Sequence, residues 1–147
     1  MRRVFDRFSN TVAAVAVILL AVNYSLPNSL WFRIDRIHVM DSRVGEPPKI
    51  IVAREIMRPF RGHWIVTVKK AIDESEPSSY FRECTSSGES DYRPETVLPP
   101  NLNLDWWTVP IKCDLQSGTY IVDTAWEFQG FLSKRTVRQV SNVFIVN

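Results

Sequence analysis

The sequence predicts an all-β sandwich preceded by one amino-terminal transmembrane helix, and three observations carry that expectation. Val12 to Val22 is an unbroken apolar run, preceded by Arg2, Arg3 and Arg7. After Pro27 the chain changes to short runs rich in β-branched and aromatic residues, separated by Pro, Gly, Ser and Asp and without a helical period. Two of these runs alternate strictly, as half-buried strands do: Trp64, Val66 and Val68 against Thr67 and Lys69, and Tyr120, Val122, Thr124, Trp126 and Phe128 against Asp123 and Glu127.

The expected organisation is a basic cytoplasmic tail over 1–10, a signal anchor over 11–26, a linker over 27–31 and a β-sandwich outside the cytoplasm over 32–147. Three cations precede the apolar run and none follows it until Arg33, so the positive-inside rule keeps the tail in the cytoplasm. The lipid bilayer is then the first expected partner. The apolar run is eleven residues long against the roughly 20 that a span needs, so a cleaved signal peptide is the competing reading. Asn23 to Pro27 offers no small-x-small cleavage site, and weakly polar neighbours from Phe8 to Leu26 extend the run to about nineteen residues, with Tyr24, Trp31 and Phe32 near an interface. Asn23-Tyr24-Ser25 is formally a glycosylation sequon, discounted because it hugs the membrane.

In the outer portion the expected strands run from Phe32 to Met40, Lys49 to Met57, His63 to Lys70, around Leu104 to Val109, Thr119 to Phe128 and Thr136 to Val146. The stretch from Asp73 to Pro100 reads as a long loop. Trp64, Val66, Tyr120, Val122, Trp126 and Phe128 are the expected core. Each large apolar side chain contributes on the order of 1.5 to 3 kcal/mol when buried.

The stretch Leu115-x-x-Gly118-x-Tyr120 resembles the tyrosine-corner entry to a late strand of immunoglobulin-like domains. The resemblance implies an immunoglobulin-like sandwich in architecture only, because Val122 stands where the antibody type has its second cysteine. The layout as a whole also resembles small bacteriophage or bacterial envelope proteins that carry one amino-terminal span and a β-rich outer module.

Cys84 and Cys113 are the only cysteines, both in the outer portion, and a disulfide between them is the natural pairing; two buried free thiols are the alternative. No cofactor or metal is expected, since His38 and His63 are isolated and no short cysteine or histidine spacing is present. The carboxylates Asp73, Glu74, Glu76, Glu83, Glu89 and Asp91 lie in a polar, Ser-rich stretch and read as solvated, with no calcium-loop pattern. No nucleophile turn or phosphate-cradling glycine loop occurs, so no catalytic residue is assigned and the chain reads as a non-enzyme. The net charge of +2, without a basic stripe, argues against nucleic acid as partner.

Two constellations remain for partner binding. Trp106 and Trp107, adjacent in an expected strand, would point to opposite faces, leaving one to anchor a protein or stack on a sugar. Arg54, Arg58 and Arg61 form an expected basic patch for lipid headgroups or an anionic partner. The expected function is a membrane-anchored binding or scaffolding module that recognises another envelope or assembly protein. A phage lysis or superinfection-exclusion factor and a small secreted hydrolase are the alternatives, and homo-oligomerisation stays open.

Overall fold

The computed structural model describes residues 2–73, 79–108 and 113–147, with side chains from residue 10 onward. Helix α1 runs Arg2–Ser25 and a single 3-10 turn Asn28–Leu30 follows. Strands β1 (Phe32–Val39), β2 (Lys49–Ile56), β3 (Phe60–Ala71), β4 (Tyr80–Tyr92) and β5 (Leu102–Asn103) precede the one-turn helix α2 (Leu104–Thr108). Strands β6 (Gly118–Gln129), β7 (Lys134–Val140) and β8 (Phe144–Val146) complete the chain. Two antiparallel sheets result, one ordered β1-β2-β5 and the other β4-β3-β6-β7, with β8 added to β6 beyond the end of β7.

The two sheets form a sandwich-like fold around one core. From the larger sheet Val66, Val68, Tyr120, Val122, Trp126 and Phe128 point inward and are buried. Phe32, Ile37, Val39, Ile50 and Ile56 meet them from the smaller sheet. A bulge between Ile34 and Arg36 lets β1 keep apolar residues inward on both sides of it, which is why Phe32 and Ile37 share a face despite their odd spacing. The sheets are also joined along one side, where the Asn142 side chain donates to Val39 O (2.9 Å) and accepts from Val39 N (2.8 Å) as a strand backbone would. The Tyr120 hydroxyl donates back to Gln116 O at 2.8 Å.

The amino-terminal part differs from the expectation of a transmembrane helix over 11–26. A helix forms, but among the described residues no helix is long and apolar enough to cross a membrane. Eleven residues at ~1.5 Å each give roughly 16 Å, about half of a hydrocarbon core of ~30 Å. The polar residues after the run also belong to the β domain. Asn23 is buried, its side-chain amide donates to Ser133 Oγ at 3.1 Å, and its Oδ1 accepts from Leu132 N at 3.1 Å. Arg135, buried beneath the helix end, donates to Leu26 O (2.6 Å), Asn28 Oδ1 (3.1 Å) and Asn23 O, and its guanidinium lies 4.7 Å from the Trp31 ring centre. A cation on the last carbonyls of a helix complements both their lone pairs and the helix dipole. Trp31 and Phe32, expected near a membrane interface, are core residues. The helix surface from Asn10 to Val22 is exposed.

Three further expectations are revised. With α1 and α2 present the fold is mostly β and not all-β. The run Asp73 to Pro100 contains the longest strand, β4, paired with β3 from Phe60↔Tyr92 to Ala71↔Tyr80. The stretch at Leu104 is helical because Asn103 Oδ1 accepts from Trp106 N at 2.9 Å, an N-cap that turns the chain.

Candidate functional site

Period-2 geometry places Ile50, Val52, Arg54 and Ile56 on one face of β2, the face toward the core, so Arg54 is a cation at an apolar position. Its guanidinium lies 5.5 Å from the Tyr92 ring centre, a cation–π contact. Among the described residues it has no carboxylate and no hydrogen-bond acceptor, and its Nε is buried without a partner. Desolvation pushes Arg54 below its ordinary pKa, partly offset by the neighbouring Tyr92. Burial in turn raises the Tyr92 phenol, against a smaller opposing effect of the Trp126 hydrogen bond, in which Nε1 donates to Tyr92 Oη at 3.1 Å. A donor group stripped of water and left unpaired is costly, on the order of 1 to 3 kcal/mol and more when charged.

Arg54 borders a cleft of about 380 Å³ between β2, the end of β4 and α2. Trp64, Trp106 and Trp107 supply its indole walls, while Ser90 and Thr96 supply its polar rim; Asp91 also borders it, with its side chain alternating to the opposite face of β4. Trp107 is partly buried and leans on Trp126, ring centres 6.1 Å apart. Trp106, one residue earlier on the same helical turn, is half exposed at the lip. Trp64 lies across Gly88, where even a Cβ would stand 2.8 Å from the indole, so the glycine makes room for this wall. The disulfide Cys84–Cys113, with Cα atoms 6.1 Å apart, ties β4 to the chain beyond α2.

Of the residues singled out from the sequence, Arg54, Trp106 and Trp107 are thus brought together. Arg58 and Arg61 are elsewhere. The Arg58 guanidinium lies 5.5 Å from the Phe131 ring centre. Arg61 pairs with Glu89 at 2.6 Å, both well exposed. Val66, Tyr120, Val122, Trp126 and Phe128 are core, whereas Trp64 is only partly buried because it faces the cleft. Ser90 and Thr96 were not identified from the sequence, and Asp91 was read there as one of several solvated carboxylates; only the strand character of β4 could have pointed to Ser90. His38 stands opposite Ile51 in the smaller sheet and His63 opposite Glu89 and Glu127 in the larger, so the two share no site. Among the described residues no group of three metal-ligating side chains occurs; Glu74 and Glu76 lie outside them.

Fold and cleft define a class by structure alone: a disulfide-bonded, sandwich-like β domain with an amino-terminal helix and an indole-walled cleft holding an arginine that has no partner among the described residues. Comparison with protein-family models, with curated proteins and with solved structures finds no match.

Proposed function

We propose that the chain is an extracytoplasmic binding module that recognises another envelope or assembly component through the Arg54 cleft. The observation that carries this reading is the Arg54 guanidinium, which among the described residues has no carboxylate partner and opens on a cleft walled by indoles. Tryptophan and arginine in a partly desolvated pocket are the residue types that dominate binding surfaces. The Cys84–Cys113 bridge supports an oxidising compartment, where disulfides persist. The exposed apolar side chains of Val12, Val15, Val17, Ile18, Leu19 and Leu20 supply a second surface suited to attachment.

The test is retention of a component from envelope extract on the immobilised full chain. Material lost when either Arg54→Met or Trp106→Ala is introduced supports the cleft as binding surface. Retention indifferent to both substitutions contradicts it.

A further inference from the structure

We propose that the Arg54 cleft takes an acidic sugar residue, a pyranose ring bearing one carboxylate, as presented by an anionic glycan; this rests on the cleft being the binding surface. Three observations select that chemistry over an acidic peptide.

Among the described residues the cleft is lined by one cation, Arg54, since Arg58 and Arg61 are engaged elsewhere. A single charge calls for a single carboxylate, and a planar guanidinium is suited to receive one in two parallel hydrogen bonds. The walls around it are the indoles of Trp64, Trp106 and Trp107, and the volume of about 380 Å³ is at the small end of ligand sites. That space suits one ring packed flat on an indole, whose face is apolar while its edge stays wet. The rim decides the rest. Ser90 and Thr96 bring hydroxyls to it. Ring hydroxyls exchange hydrogen bonds with Ser90 and Thr96. An aspartate- or glutamate-rich peptide satisfies Arg54 but brings further carboxylates to a cleft whose described lining holds no second cation to receive them.

The experiment is a tryptophan-fluorescence titration of the full chain with three probes: an oligogalacturonate, its neutral oligogalactose counterpart and an acidic peptide. The oligogalacturonate should give a saturable change in emission, and the neutral sugar should bind at least about tenfold more weakly. Arg54→Met should weaken the uronate by about ten- to a hundredfold, the worth of a charge-assisted hydrogen-bonded pair. Trp106→Ala, at an exposed position that the fold does not need, should weaken it by about fivefold and keeps the test open if Arg54→Met folds poorly. Equal response to neutral and acidic sugar overturns the proposal. Saturation by the acidic peptide with none by the uronate also overturns it, while leaving the cleft as a binding surface. Silence to all three probes counts against both readings.

Discussion

Replacing Cys84 and Cys113 with serine should lower stability by about 3 to 4 kcal/mol. The bridge spans a sequence separation of 29 residues. For a loop of about 30 residues the chain-entropy relation withdraws roughly 12 cal/mol/K from the unfolded chain, or about 3.6 kcal/mol at 25 °C. A domain of this size has on the order of 5 to 15 kcal/mol in total, so a quarter or more of its stability is at stake. The position of the bridge adds a local consequence. Cys84 stands opposite Val68 beside the irregularity between Val68 and Lys69, and Cys113 follows α2, so the link steadies the element that carries Trp106 and Trp107. Urea unfolding of the oxidised parent, the reduced parent and the double serine variant, followed by tryptophan emission, measures the difference. Reduced and double-serine proteins should agree with each other and fall below the oxidised parent. A difference under about 1 kcal/mol would refute the loop-closure reasoning.

Arg135→Met should cost about 3 kcal/mol in thermal or urea unfolding, because it strands the carbonyls of Asn23 and Leu26 at roughly 1 to 3 kcal/mol each. It should also speed amide exchange in the last turn of α1, and unchanged exchange there would mean the helix end is held by something else. Asp123 sits between Arg138 and Lys69 (2.6 Å), and the Arg138 hydrogen bond above all holds its pKa below the ordinary value, against the opposing effect of desolvation. Because the folded carboxyl titrates lower than the unfolded one, this contribution is complete above the ordinary carboxylate pKa of 3.8 and is lost as the pH falls below it. Asp123→Asn should therefore destabilise at neutral pH and flatten the acid limb of the stability curve, and a parallel downward shift of the whole curve would contradict the assignment.

How much of this was legible in the sequence depended on whether the core used large side chains. Strands β3 and β6 showed themselves because Val66, Val68, Tyr120, Val122, Trp126 and Phe128 repeat every second residue and all are buried. Strand β4 is as long but inconspicuous, since its inward positions Ser86 and Gly88 are small or polar where Trp64 crosses them. Its strand character comes from pairing with β3, a tertiary effect that local composition does not encode. The run from Thr136 to Val146 reads as one strand, yet the register on β6 slips by one residue between β7 and β8, where Ser141 and Asn142 turn their side chains to backbone groups of Val122 and Val39.

The candidate site was half visible. Trp106 and Trp107 stood out by composition, but their helix was announced only by the Asn103 cap and Asp105 in the first turn. Arg54 was grouped with Arg58 and Arg61 by proximity in sequence, although the phase Ile50, Val52, Arg54, Ile56 already set it facing inward. The docking of α1 was not legible, because Arg135 and Asn23 are separated by more than a hundred residues and neither has a local pattern that names the other.

The most direct test measures the stability and the uronate response of Arg54→Met together. If Arg54 is held unpaired for a ligand, an apolar side chain of similar length relieves the desolvation. The free variant should then be as stable as the parent or up to roughly 1 to 2 kcal/mol more stable, with its affinity for the oligogalacturonate lowered by about ten- to a hundredfold. A variant destabilised by about 2 kcal/mol or more that still binds the uronate like the parent would show that Arg54 serves the fold and not the ligand.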